Sequence, residues 1–338
     1  MKNILTIFIF LIAASSFAAS VPKQMFGDWT LDIESDYDEA GWMRVEQVEG
    51  KPIIQMRVEV GNTGPYKDIT VKDGRVSFPF RKARKNRQGQ YIIPHAGNVA
   101  TNESVEMWLK KGKLQGVIIR EPIDGSPTIR LPFVGKKIPP MNAAPDLSKV
   151  RFGHPISLFN GKDLTGWSPR RPEKAFGWKV EDGLLVNVTP KTDFSATGAF
   201  ANLRTDAVFD DFWLHIEFLI EADRNSGVYL RGMYEAQVVD RDSRMQGLQG
   251  VGAIFSKIAP SVNAGKVPGE WQTYDITLVD RHVTVVLNGV KVIDNQPVDG
   301  PTGGAMHTDP MAPGPIYLQG DHTSVKYKNI YLAPVIRD

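Results

Sequence analysis

Cysteine is missing from all 338 residues. That excludes a disulfide framework, a thiol nucleophile and a lipid-modified cysteine behind an export signal. An excess of either charge is missing too. Forty basic against 38 acidic side chains leave a formal charge of +2, which argues against a polyanionic partner such as nucleic acid. Long apolar runs are also lacking: the longest, Ile4 to Ala14, is too short for a comfortable membrane span. It follows Lys2 and precedes Ala18-Ala19-Ser20, so residues 1–20 read as a secretory signal with the mature chain starting near Val21. An exported protein, periplasmic or secreted, is expected. Composition is otherwise globular, at 42% apolar and 23% charged residues. Without disulfides its stability must come from large packed sheets, and the length suggests two domains.

Residues 21–140 read as short strands separated by Gly, Asn, Asp and Pro, with hairpin signals at Asp73-Gly74 and Asp124-Gly125. No helical period of useful length appears, so an antiparallel barrel or sandwich of unknown role is expected. Gly27-Asp28-Trp29 resembles the Gly-x-Trp opening of lipocalin-like barrels, and no ligand is carried over from it. Arg81 to Arg87 puts five basic side chains in seven residues and reads as a solvated hairpin loop, with His95 a loop histidine. Lys136 to Asp146 is rich in Pro, Ala and Asn; residues 141–154 are taken as the linker.

Residues 155–338 show antiparallel sandwich patterning. Hairpins are expected around Asp182-Gly183 and Asn288-Gly289. From Phe212 to Ile220 large apolar residues alternate with Trp213, His215, Glu217 and Leu219. Near the end, Ile316 and Leu318 alternate with Tyr317, Gln319 and Asp321, followed by His322. The organising stretch is Asn225 to Asp240, NSGVYLRGMYEAQVVD, read as one strand. Its apolar face carries Val228, Leu230, Tyr234, Ala236 and Val238; its other face carries Tyr229, Arg231, Met233, Glu235 and Gln237. An Arg–Glu pair across a wet sheet face would explain that second face without any function. If the three strands instead share one curved sheet, its concave side pools Trp213, His215, Glu217, Tyr229, Arg231, Glu235, Gln237, Tyr317 and Gln319, with His322 at the rim. Aromatic faces and fixed polar forks of this kind hold sugars.

FNGKDLTGW, WKVEDGLL, NSGVYLRGMYEAQVVD, GAIF, GEWQTYDITLV, LNGVKVID, QGDH and YKNI together resemble the 3-keto-disaccharide hydrolase domain, in consistent order over about residues 155–334. The resemblance implies a concanavalin- or laminarinase-like jelly roll that cleaves glycosides already oxidised at C3, in functional pairing with a sugar 3-oxidoreductase. It implies Arg231 and Gln237 as ligands of the sugar oxygens, Glu235 or Glu217 as the base at C2, and His322 as the second acid–base group. Lys328 departs from the family, which often has Arg there. No cofactor is expected, although Asp240 and Asp321 could carry a divalent cation. His282 and His307 are read as surface histidines. Two rivals stand beside this reading. One is a conventional glycoside hydrolase on the same fold, although the laminarinase-type Glu-x-Asp-x-x-Glu strand is not present; the other is a non-catalytic carbohydrate-binding or adhesion module.

Overall fold

The computed structural model describes residues 20–34, 40–58, 63–86, 88–91, 99–190 and 199–337. The expected export signal up to Ala19 and the loop histidine His95 lie outside the described residues. The first unit comprises β1 (Gly27–Ile33), β2 (Gly41–Val48), β3 (Lys51–Val58), β4 (Thr70–Lys72), β5 (Arg75–Arg81), β6 (Thr101–Lys110), β7 (Lys113–Pro122) and β8 (Ile129–Lys137). These eight strands form one antiparallel sheet in the order β3-β2-β1-β8-β7-β6-β5-β4. The Ile54 amide and carbonyl bond Tyr66 in the β3–β4 connection at 3.1 and 2.7 Å. Tyr66 packs on Phe78 and Phe80 of β5, and Arg81 at the end of β5 donates to the Val58 carbonyl of β3 at 2.7 Å, so the sheet curls round into a barrel. The two-residue period sends Trp29, Met43, Ile54, Phe78, Met107 and Phe133 into a single interior cluster. Asp73 and Gly74 both take positive φ, +50° and +74°, as a tight hairpin turn requires. In the basic loop, Lys82, Arg84 and Lys85 are exposed while Arg81 reaches back to Glu103 at 3.6 Å.

The second unit continues with β9 (Ile156–Ser157), β10 (Trp167–Pro169), β11 (Trp178–Glu181), β12 (Leu184–Asn187), β13 (Leu203–Thr205) and β14 (Phe212–Leu219). A central hairpin of β15 (Asn225–Leu230) and β16 (Tyr234–Val239) follows. Then come β17 (Trp271–Val279), β18 (His282–Leu287), β19 (Val290–Pro297), β20 (Tyr317–Leu318) and β21 (Val325–Pro334). They make two packed antiparallel sheets, a jelly-roll β-sandwich. One sheet runs β10-β13-β20-β15-β16; the other runs β11-β12-β21-β14-β17-β18-β19, with β9 paired to β21. Phe212, Leu214, Ile216 and Phe218 of the second sheet meet Val228, Ala236 and Leu318 of the first in one dry core.

Asn225 to Asp240 is therefore a hairpin rather than one strand. Leu230 pairs with Tyr234, and the chain reverses at Arg231 and Gly232, with φ of +53° and +64°. Glycine makes the second of these positions inexpensive; Arg231 occupies the left-handed region at a cost. The facing of residues 225–230 and 234–239 survives the reversal, because Tyr229 lies opposite Glu235 and Gly227 opposite Gln237.

The two units are joined side to side. Arg44 on β2 makes a bidentate pair with Asp28 at 2.6 and 2.7 Å and also bonds Asp299 of the sandwich. Thr308 bonds the Gly41 carbonyl, Lys136 reaches Asp309 at 2.6 Å, and Arg281 donates to the Pro139 carbonyl at 3.0 Å. This seam places the β2–β3 face of the barrel over the outward face of the five-stranded sheet.

Candidate active site

Antiparallel register builds the site on that outward face. Ser168, Arg204, Tyr317, Tyr229 and Glu235 stand opposite one another in a row across all five strands. One step along lie Gly227, Gln237 and Gln319, whose amide donates to the Gly227 carbonyl at 2.9 Å. Three strands, β15, β16 and β20, with Gln319 just beyond the last, thus deliver aromatic, amide and carboxyl groups to one covered face, the hollow. The segment 302–306 and the barrel cover it: Tyr229, Glu235, Gln237 and Tyr317 are at most 4% exposed. The face reads from sequence as solvated, and the structure corrects this, because the alternation that reveals a polar face says nothing of what lies on it.

Three side chains placed there by sequence go elsewhere. Trp213, His215 and Glu217 lie on β14, which belongs to the other sheet, so their outward faces point to the opposite side of the sandwich. There His215 bonds Asp275 at 2.8 Å, Trp213 stacks on His215, and Glu217 pairs with Lys328 at 3.3 Å. Lys328, the departure from the family pattern, also sits over Trp271 on that far surface. Arg231 is corrected as well. At the hairpin tip its guanidinium is buried, donating to the Pro310 carbonyl at 2.8 Å and to the Ala312 carbonyl, and lying 3.3 Å from Asp210 and 3.9 Å from Asp211. It locks the 310–312 segment and does not face the hollow.

The expected surface histidines are also corrected. His282 is 4% exposed, with Nδ1 at 2.9 Å from the Asp280 carbonyl, and His307 has Nε2 at 2.9 Å from the Arg231 carbonyl. Burial pushes the His307 imidazole below its ordinary pKa, so it packs as a neutral ring. Asp240 accepts from the backbone amides of Asp223 and Asp242, each at 2.8 Å, which is a turn-forming role. Asp321 holds His322. No group of three or more His, Cys, Asp or Glu arranged to hold a metal ion occurs among the described residues.

The groups left in the hollow form a proton-transfer set. Burial pushes the Glu235 carboxyl up to about 8, against the opposing pull of the His322 charge, the Tyr229 hydroxyl and Arg57. His322 Nδ1 lies 2.6 Å from Asp321 Oδ1, with the imidazole partly open to solvent. Burial alone would lower the His322 pKa; the hydrogen bond to Asp321 and the charges of Asp321 and Glu235 outweigh it, and the net direction is up. The Asn202 side-chain carbonyl fixes this turn, accepting from the Gly320 and Asp321 amides at 2.6 and 3.0 Å. Tyr229 donates to the Gly303 carbonyl at 2.7 Å, and Arg170 donates to the Gly304 carbonyl at 2.9 Å. Gln237 Oε1 and Gln319 Oε1 are buried with no hydrogen-bond partner among the described residues. Buried amide oxygens left this way cost free energy unless a ligand's hydroxyls meet them.

Two members of the site escape a reading of the sandwich alone. Gly227 exists to make room: a Cβ there would stand 2.3 Å from Glu235 Oε1. Arg57, on β3 of the barrel, is 7% exposed and faces Tyr229 and Glu235. Its only sequence signal is a lone charge between Met56 and Val58, which any barrel exterior would show. Gly227→Ala is expected to displace the Glu235 carboxylate and cost about 1–3 kcal/mol through overpacking. Thermal unfolding and turnover measured together check this, and unchanged turnover would mean that the Glu235 position is not critical.

The model of the 3-keto-alpha-glucoside-1,2-lyase-like domain matches residues 154–333. The chain belongs to this family. Among solved structures it is similar to a candidate glycosyl hydrolase from Parabacteroides distasonis ATCC 8503, at 23% identity over 54% of this chain and 94% of that one, with a TM-score of 0.44. A second structure of that description from the same organism gives 23% identity over 53% and 98%, TM-score 0.41. A Bacillus licheniformis β-glucanase gives 10% identity over 56% and 98%, TM-score 0.32. No curated protein matches the chain. All the residues gathered on this face except Arg57 lie within the matched span.

Proposed function

We propose that this 3-keto-alpha-glucoside-1,2-lyase-like protein cleaves small glycosides that carry a ketone at C3, by elimination followed by hydration. The observation that carries the reading is Glu235: a buried carboxyl held near pH 8, beside a histidine–aspartate pair and beneath unpartnered amide oxygens. A base for carbon acids works best with a pKa near the operating pH, and a solvated glutamate is too weak by several units. The C3 ketone acidifies the C2 hydrogen. Glu235 takes that proton, and the C–H electron pair moves into the enolate on the C3 oxygen. The enolate collapses, the C3 carbonyl re-forms, a C1–C2 double bond appears, and the C1–O bond breaks. The departing oxygen takes a proton from His322, which Asp321 keeps charged and oriented. Water then adds at C1 as its proton passes to the now neutral His322, and Glu235, its own proton exchanged with solvent in the meantime, protonates C2, giving the 3-keto sugar and the aglycone. Such a substrate is made by oxidation of a glycoside at C3, so a sugar 3-oxidoreductase would act upstream. The enclosure of Glu235 and Tyr229 favours a mono- or disaccharide unit over the interior of a polymer. Export to the periplasm or beyond accompanies this reading, resting on the character of residues 1–20.

Asp321 gives the site a second carboxylate, which supports a conventional acid–base glycosidase as the rival. Offering a glucoside and its 3-keto derivative side by side separates the two. Cleavage of the keto form alone supports elimination; equal cleavage of both overturns it. The pH profile adds a check. The proposed mechanism needs Glu235 ionised and His322 protonated, so turnover should be bell-shaped around a neutral to slightly alkaline optimum. In His322→Gln the falling limb should vanish, leaving a single rise at or above pH 8 as Glu235 ionises.

A further inference from the structure

We propose that Arg57, supplied by the amino-terminal barrel, is the cation that receives the negative charge developing on the substrate's C3 oxygen, so that the active site is shared between the two units. The inference rests on the keto-glycoside reading above and extends it to a residue outside the family's matched span. On β3 the side chains of Ile54, Met56 and Val58 fill the barrel interior, while Arg57 points outward opposite Trp42. An outward arginine on a barrel normally ends in water. Here it is 7% exposed, because the seam closes over it.

Several observations place the guanidinium at the hollow. A Cβ on Gly303 would stand 3.1 Å from Arg57 Nη1, and the Gly303 carbonyl is the acceptor of the Tyr229 hydroxyl. The neighbouring Gly304 is equally tight, since a Cβ there would stand 2.8 Å from the Tyr229 hydroxyl. Side chains at 303 and 304 would push the barrel's arginine away from the sheet. Burial disfavours the Arg57 charge, as does Arg81, while the neighbouring Tyr229 and Glu235 side chains favour it. No salt bridge from Arg57 is present among the described residues, and its Nε has no hydrogen-bond partner among them. An arginine stays protonated even so. A buried guanidinium without a hydrogen-bonded anion is destabilising, a cost that makes sense where negative charge arrives during a reaction.

The other cations at the seam are engaged differently. Arg170 donates to the Gly304 and Ala305 carbonyls and holds the covering segment. Lys257 lies over the Trp42 ring, 5.0 Å from its centroid. Arg44 is bound to Asp28 and Asp299 and keeps the seam in register, so that Arg57 arrives at a fixed place.

The test uses the full chain, with Arg57→Lys and Arg57→Ala, assayed on a 3-keto glucoside that the wild type cleaves. The expected result is a fall in kcat of about 10²–10³ for Arg57→Ala, the size seen on removing a single oxyanion donor, with KM changed far less. Exchange of the C2 hydrogen with solvent should slow in parallel, and millimolar guanidinium should restore part of the rate. Arg57→Lys keeps the charge without the fork and should retain an intermediate rate and an unchanged melting temperature. Three outcomes overturn the inference: Arg57→Ala within threefold of wild type, a rate loss without slowed C2 exchange, or a loss mirrored by a fall in melting temperature in both variants without guanidinium rescue. If wild type itself fails to cleave the keto substrate, the underlying reading has failed instead, which the same assay reveals before any variant is made.

Discussion

Glu235→Gln is expected to abolish most turnover while making the folded protein more resistant to alkali. A positioned base contributes about 10²–10⁴ in rate, and glutamine keeps the volume while losing the proton-accepting carboxylate. The stability effect has a definite sign. Burial raises the folded-state pKa to about 8 from an ordinary 4.5, so across that window the folded protein keeps a proton the unfolded chain has released. The stability linked to this proton is complete below about pH 4.5 and is lost as the pH rises through about 8. Glutamine never ionises, so the melting temperatures of variant and wild type should converge near pH 5 and separate steadily toward pH 9. At the alkaline end the gain is on the order of a few kcal/mol. A variant that loses both activity and alkaline stability would place Glu235 in a structural ion pair instead.

The second large effect belongs to Arg231, and it falls on folding. Its guanidinium ties the hairpin tip to the Pro310 and Ala312 carbonyls and to Asp210 and Asp211. Asp211 is itself buried, and desolvation already raises its pKa despite Arg337 and Arg231. Removing the arginine leaves that carboxylate and two carbonyls poorly matched, at a cost of about 3–5 kcal/mol. Arg231→Met should therefore lower the denaturation midpoint sharply, while the fraction that stays folded keeps KM within a few-fold of wild type. A steep rise in KM at unchanged stability would return Arg231 to the role of a sugar ligand.

How far these conclusions could be read from sequence depends on what each signal encodes. Strand positions and facing were legible because a half-buried strand writes its burial into a two-residue period: Tyr229, Glu235, Gln237, Tyr317 and Gln319 all share the face their alternation predicts. Which sheet a strand joins is not written that way. Phe212 to Leu219 alternates as cleanly as a groove strand, yet its polar face with Trp213, His215 and Glu217 looks away from the site, because facing is local and sheet membership is set by pairing across the chain. Alternation misplaces Arg231, because a two-residue period does not survive a turn. Arg231-Gly232 is a reversal that glycine permits, but an arginine at positive φ gives little warning of it. Cover was least legible of all: the burial that tunes Glu235 comes from residues 302–306 and from barrel strands β2 and β3, more than 170 positions earlier in the chain, and no pattern within NSGVYLRGMYEAQVVD reports it.

The measurement that tests the account most directly follows a single hydrogen. A 3-keto glycoside carrying deuterium at C2 is cleaved in ordinary water, and the product is examined by NMR alongside the same reaction with Glu235→Gln. The account predicts that the wild-type product has lost its deuterium, that turnover is slower than with the protiated substrate, and that the variant leaves the label in place. Cleavage by the wild type that retains the deuterium at C2 and runs as fast as with the protiated substrate would show that the bond breaks without proton abstraction, and would contradict it.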